Sequence, residues 1–220
     1  MKKAALLLLV LIVPSVAYIV LTTGKHNIRT LGYYGQKYPG ETEKDTIYHS
    51  IQPFSLTDEN GNVFGDNQLE NKIYVANFFS TNCKTCPELQ TLMKSVHDVD
   101  DFEKLKDLHF VSFSTDPQDS PENLKRFSNE IKADSTRWHF LSGPKDAIYN
   151  LGLKSFMVDL TPVNNQPGQS DLIFLIDRKK HIRGIYEGRS QTDVKRLIDE
   201  TKVLIAEYNL AKKKNLNPVK

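Results

Sequence analysis

Apolar positions along this chain follow three patterns. An apolar stretch fills residues 4–21, interrupted only by Pro14 and Ser15. Short continuous runs, Ile73-Tyr74-Val75-Ala76-Asn77-Phe78-Phe79 above all, have the character of strands buried on both faces. Elsewhere apolar residues recur every three or four positions, the period of a helix with one buried side.

In chain order these patterns predict a sequence of elements. Phe54-Ser55-Leu56 and Asn62-Val63-Phe64 flank Asp58-Glu59-Asn60-Gly61, and Asn-Gly between apolar segments signals a hairpin. The strand at residues 73–79 is followed by a helix with Leu89, Leu92, Met93 and Val96 on one side. Residues 108–114 form a second buried strand. Asp119-Ser120-Pro121 supplies an N-cap and a first-turn proline for a helix whose stripe is Leu124, Phe127 and Ile131. A short strand at 138–141 and a short helix at 147–153 come next, then a Pro-, Asn- and Gly-rich loop over 161–169. Residues 171–177 and 181–186 are strands joined by Arg178-Lys179-Lys180. Val194, Leu197, Ile198, Thr201, Leu204, Ile205 and Tyr208 mark a closing amphipathic helix. Strands alternating with helices, then a hairpin and a last helix, predict a thioredoxin-like α/β sandwich: a central mixed sheet flanked by helices.

The apolar stretch decides the expected compartment. About 20 such residues cross a bilayer as a helix, and Lys2 and Lys3 ahead of it stay on the cytoplasmic side. Ser15-Val16-Ala17 also fits a signal-peptide cleavage site, but Tyr18-Ile19-Val20-Leu21 continues the apolar run beyond it, which favours a retained single-pass anchor. The expected organisation is an anchor (or signal peptide) over 1–24, a stalk over 25–50, one domain over 51–210 and a basic tail over 211–220. The domain then faces the periplasmic, extracytoplasmic side of the cell inner membrane. Of 220 residues, 39% are hydrophobic and 25% charged, as in an ordinary globular chain. The net charge of +2 conceals an asymmetry: six lysines sit at the two ends, leaving 23 basic against 27 acidic residues, or −4, between 4 and 210. A mildly acidic body lacks the basic face that nucleic acid requires.

Two cysteines are too few for a disulfide scaffold, yet they stand together as Cys83-Lys84-Thr85-Cys86, after the buried strand and at the opening of the next helix. A helix start presents free N–H groups and a partial positive charge. Both favour a thiolate, as does the Lys84 cation, so Cys83 is expected to attack and Cys86, one turn on, to resolve. The plain alternatives are two inert buried cysteines or half of a zinc site. Zinc usually takes four ligands, and the sequence has no second cysteine pair or nearby histidine. A lone C-x-x-C is a weak signal; the strand before it and helix after it, in an exported chain, strengthen it.

Between about Thr46 and Leu204 the chain resembles the Sco/SenC family. The resemblance rests on Ile51-Gln52-Pro53-Phe54, on Phe78-Phe79-Ser80-Thr81-Asn82-Cys83 leading to Cys86-Pro87, and on Asp116-Pro117-Gln118-Asp119-Ser120-Pro121. It continues through Trp138-His139-Phe140-Leu141-Ser142-Gly143, Leu175-Ile176-Asp177 and His181-Ile182-Arg183-Gly184-Ile185-Tyr186-Glu187-Gly188. The family consists of membrane-tethered thioredoxin-fold proteins that deliver copper to, or reduce the thiols of, the dinuclear copper centre of cytochrome c oxidase. The resemblance therefore implies a respiratory oxidase subunit, or another exported thiol protein, as partner. Two departures stand out. The family usually has three residues between its cysteines, where this chain has two, the spacing of thiol–disulfide oxidoreductases. The family's third copper ligand is a histidine followed by serine; here that place reads Gln169-Ser170. An amide is a poor substitute for imidazole at copper. Two thiolates alone still suit Cu(I), so Cys83 and Cys86 are expected to serve redox chemistry first and Cu(I) handling second, with Cu(II) held poorly.

The remaining candidates have plainer expectations. His109 and His139 read as structural, His97 as a cation suiting a helix C-terminus, His181 as surface polarity in a turn, and His26 and His49 as stalk residues. Asp116 and Asp119 share the strand edge expected to carry Cys83, with turn and cap duty favoured over docking. Lys212-Lys213-Lys214 reads as a solvated tail, with attraction to anionic lipid the weaker alternative. A thiol peroxidase is a third reading; Thr81 precedes Cys83 by two residues, but the upstream proline of that pattern is missing.

Overall fold

The structure, a computed structural model, describes residues 12–16, 30–42, 45–82, 86–99, 108–162, 167–168 and 170–216; at 86–88 and 213–216 it describes the backbone only. β1 (Lys37–Pro39) and β2 (Thr46–Tyr48) form a small ribbon. β3 (Ser55–Asp58) and β4 (Val63–Gly65) form a hairpin, followed by a single 3-10 turn at Asp66–Leu69. Then come β5 (Ile73–Phe79), α1 (Cys86–His97), β6 (Leu108–Ser114), α2 (Pro121–Glu130), β7 (Trp138–Ser142), α3 (Lys145–Leu151) and a π turn at Gly152–Phe156. β8 (Leu172–Ile176), β9 (Ile182–Glu187) and α4 (Gln191–Leu216) complete the described elements.

The seven-stranded sheet runs β4-β3-β7-β6-β5-β8-β9. β5 and β6, buried at every position, are its central parallel pair, in register from Ile73↔Leu108 to Phe79↔Ser114. β7 continues in parallel beside β6, while β8 and β9 run antiparallel on the other flank. Alternate side chains of β5 go to opposite faces. Val75 and Phe79 join Leu89 and Met93 of α1, Leu124 of α2 and Val194, Leu197 and Leu204 of α4. Tyr74, Ala76 and Phe78 join Ile148 and Leu151 of α3 and Phe156 of the π turn. Helices therefore cover both faces of a mixed sheet, the thioredoxin-like sandwich that the element order predicts. Ser120 caps α2 by accepting a hydrogen bond from the Asn123 N–H, with Pro121 in the first turn. The Asn60-Gly61 turn closes the β3–β4 hairpin, with Gly61 at a φ of 80° that other residues rarely adopt.

Three segments differ from the expectations above. The short helix begins two residues earlier, at Lys145, and passes into the π turn. α4 continues to Leu216, so Lys212-Lys213-Lys214 are helical rather than a loose tail. The residues expected to be a stalk contain the β1–β2 ribbon and dock on the domain: the Tyr34 N–H donates to the Ile182 carbonyl at 2.9 Å, and His49 Nε2 lies 2.7 Å from the Ser155 carbonyl. Strands of three residues are too short to declare a period, and what holds them lies far along the chain. Arg183 donates to the carbonyls of Leu31 and Gly32, pairs with Asp177 and Glu207, and lies 4.4 Å over the Tyr33 ring. Tyr33 in turn stacks on Tyr48. His181 is accordingly half-buried rather than a plain surface polar group: the rings of Tyr33 and Tyr48 meet it edge-on, and Asp177 lies 3.4 Å away. Residues 12–16 are helical; most of the 4–21 run, and His26, lie outside the described residues. Among the described residues no helix is long and apolar enough to cross a membrane.

Candidate thiol site

β5, β6 and β7 are parallel, so their C-terminal ends share one edge of the sheet. The chain leaves β5 at this edge through Ser80, Thr81 and Asn82, and α1 starts at Cys86. Cys83, Lys84 and Thr85 lie outside the described residues, as does the Cys86 side chain. What the structure does describe is the frame that holds the approach to Cys83.

That frame is built from two carboxylates on the loop after β6, both largely buried. Asp119 accepts from the Thr81 N–H at 3.1 Å and also from the hydroxyls of Thr81 and Ser114. Asp116 accepts from the Asn82 amide at 3.0 Å and from the Gln118 N–H at 2.9 Å, with the Ser80 hydroxyl at 3.5 Å. Ser80 Oγ accepts from the Asn82 N–H at 3.2 Å. The N–H and hydroxyl of Thr115 both donate to the Phe79 carbonyl, joining the two loops directly. A buried carboxylate needs hydrogen-bond donors to offset its lost hydration, and several here come from the residues just ahead of Cys83. Turn duty was expected of Asp116 and is present in its bond to Gln118; capping of α2 falls to Ser120 instead of Asp119. The grip of both aspartates on the sulfur loop was missed. The only trace of it in the sequence is a polar Ser-Thr-Asn run after an apolar strand.

Beside this loop lies a cleft of about 470 Å³. Asn82 and Asp116 form one wall, Lys145 and Tyr149 of α3 another, and Pro162 and Pro167 a third. Lys145 Nζ lies 5.3 Å from the Tyr149 ring centre. Gln169 lies outside the described residues; its neighbours Gly168 and Ser170 are described. A Cβ on Gly168 would meet the Leu160 carbonyl oxygen at 1.8 Å, so only glycine fits there. Ser170 is buried and accepts from the Leu172 N–H at 3.1 Å. Pro162 and Pro167, at the two described ends of the proline loop, lie by the cleft that Asn82 and Asp116 line. Lys145 and Tyr149 carried no sequence signal, since a short helix is marked only by its apolar positions.

Each described imidazole is engaged elsewhere. His109 and His139 stack at 6.0 Å near the opposite ends of their strands, and Phe64 lies 4.6 Å from His139. His49 meets the Ser155 carbonyl, and His181 lies among aromatic rings. His97 lies beside Asp98 and Arg137. Burial holds the pKa of His97 below the usual imidazole range, which disfavours the cation expected at the end of α1. Burial likewise lowers His139.

Comparison with known proteins agrees with this architecture. The SCO1/SenC family model matches residues 41–206. The SCO1 protein homolog of Bacillus subtilis is 28% identical over 172 residues, covering 74% of this chain and 86% of that protein. The crystal structure of a SCO1/SenC family lipoprotein from Bacillus anthracis superposes with a TM-score of 0.66 at 34% identity, over 71% of this chain and 95% of the other. A structure of BsSco, described as a Sco-family cytochrome c oxidase assembly protein with a disulfide switch, gives 0.63 at 25% identity, over 71% and 93%. The matched span contains the sheet, the aspartate-held loop and the cleft, and the chain belongs to the SCO1/SenC family.

Proposed function

We propose that this protein is a membrane-anchored, extracytoplasmic thiol–disulfide oxidoreductase that acts on a cysteine pair of a respiratory oxidase copper centre. Cys83 thiolate attacks one sulfur of the client disulfide; that S–S bond breaks, and the leaving client thiolate takes up a proton. Cys86 thiolate then attacks the Cys83 sulfur, forms the Cys83–Cys86 disulfide and releases the second client thiol. Two electrons pass from the pair to the client, and an exported thiol reductant must return them.

The observation that carries this reading is the fixed approach to Cys83: a loop pinned by Asp116 and Asp119 beside an open cleft, with α1 starting at Cys86. A nucleophile gains rate from being held in one geometry with access for its substrate. The disulfide switch named for BsSco and that protein's description as an oxidase assembly factor support the reaction type and the client. Insulin reduction by wild type, with Cys83→Ser as control, tests it: undiminished exchange by Cys83→Ser removes Cys83 from its role.

A second reading makes Cu(I) the cargo, with Cys83 and Cys86 as its ligands. The proximity of two soft sulfurs favours it. It differs in needing no client disulfide. Stoichiometric Cu(I) transfer to an oxidase domain by a protein inactive towards insulin would select it.

A further inference from the structure

We infer that the end of the domain where residues 31–48 meet α4 lies against an anionic phospholipid surface, so that the sulfur loop faces away from the membrane. This inference rests on the anchored reading above. Two independent features of the fold converge on that end.

The first is strand level. Tyr34 donates to the Ile182 carbonyl; Ile182 pairs with Ile176, and Ile176 with Tyr74 near the start of β5. Cys83 follows Phe79 at the finish of the same strand. Five residues of strand separate the two levels by about 17 Å. The leading segment therefore docks at the end of the sheet opposite the sulfur loop.

The second is the return of α4 to that same end. Arg196 donates to the Ile185 carbonyl, and Glu207 further along pairs with Arg183. Glu207 also accepts from the Leu31 N–H at 2.7 Å. Lys212-Lys213-Lys214 begin five residues beyond Glu207, about 8 Å further along the helix. Glu207 holds Leu31, so this basic run follows the point where the described leading segment meets α4.

Exposed side chains of the docked segment and of α4 are of the kinds that suit a lipid interface. Tyr38 and Ile47 are cross-strand partners and share one side of the ribbon, 50% and 57% exposed. Tyr34 and Leu210 are 39% and 43% exposed. Exposed tyrosines beside lysines suit the headgroup layer. The turn of the ribbon carries Glu41, Glu43 and Asp45 against Lys44, so contact runs along the Tyr38–Ile47 side rather than the tip. Leu31 is ten residues past the end of the apolar run, a reach of at most ~35 Å. Ile12, Val13 and Val16 within that run are exposed in the chain alone. A tether this short keeps the local lipid concentration high, so weak surface affinity suffices.

The test uses the full chain reconstituted into vesicles of phosphatidylcholine and phosphatidylglycerol carrying brominated acyl chains. Trp138 is fully buried and gives a constant background. A Tyr38→Trp variant is expected to lose roughly half of its added emission, as an interfacial residue does, while Val63→Trp, on the exposed far-edge strand, loses none. Quenching should fall in high salt and in K212E/K213E/K214E. Protein that floats with the vesicles but shows equal quenching at both positions, or none, overturns this inference and leaves the anchor standing. Protein that does not float overturns both.

Discussion

Asp119 and Thr81 are joined twice: the Thr81 N–H donates to Asp119 Oδ2 at 3.1 Å, and the Thr81 hydroxyl donates to Oδ1. The Ser114 hydroxyl is a third donor to the same carboxylate. Removing the acceptor would strand these donors in a buried place, at a cost of about 1–3 kcal/mol each for a group left unsatisfied. Asp119→Ala should therefore lose roughly 2–3 kcal/mol in urea unfolding. Its alkylation by iodoacetamide at neutral pH should slow or lose its preference for Cys83. An unchanged rate with full selectivity would show that the frame does not govern the sulfur.

The two cysteines should fail in different ways. Cys83→Ser should abolish turnover of a client disulfide. Cys86→Ser should keep the attack and accumulate the mixed disulfide, since nothing resolves it. Mass spectrometry of the trapped adduct separates the two roles. An adduct on Cys86 in the Cys83→Ser protein would reverse them.

Gln169→His would place an imidazole at the position where the Sco/SenC resemblance puts its third copper ligand. Tight Cu(II) binding is expected to rise by tenfold or more, on the order of 1.4 kcal/mol. Wild type should take up Cu(I) and release Cu(II) on a desalting column. Stoichiometric Cu(II) retention by wild type contradicts the reading of position 169.

Acid should weaken the fold through His97 and His139. Both are held below the usual imidazole range, chiefly by burial. For His139 the charge of Lys72 acts in the same direction, and Asp58 and Asp134 oppose it. A base with a lowered folded pKa is neutral in the native state, while the unfolded chain binds a proton below about pH 6.5. Their contribution is present above that pH and lost as the pH falls through the folded pKa. Urea midpoints should therefore drop as the pH falls below about 6.5, and His139→Phe should flatten the slope. A flat wild-type profile would contradict this.

The sequence made some elements legible and hid others for physical reasons. Seven consecutive buried positions in β5 and in β6 leave no other reading, and Asn60-Gly61 and Ser120-Pro121 each specify one local geometry. The site was only half visible. Cys83 and Cys86 advertise themselves by spacing and by the strand before them. The partnership of Thr81 with Asp119 spans 38 residues, and that of Asn82 with Asp116 spans 34. Nothing local distinguishes those aspartates from turn residues; only parallel pairing of β5 with β6 brings the two loops together. Likewise, the segment leading into β1 is held by Arg183, some 150 residues away, so no nearby pattern announces its docking.

The attachment of residues 31 and 32 to Arg183 has a mechanical consequence. A pull on the leading segment loads β9, the outermost strand, and the far end of α4. β5 and β6 stand two and three strands inward and need not share that load. Thermal tugging from a fluctuating support would be spent at the rim of the sheet, and the pairing that aligns the two aspartates with their loop would keep its register.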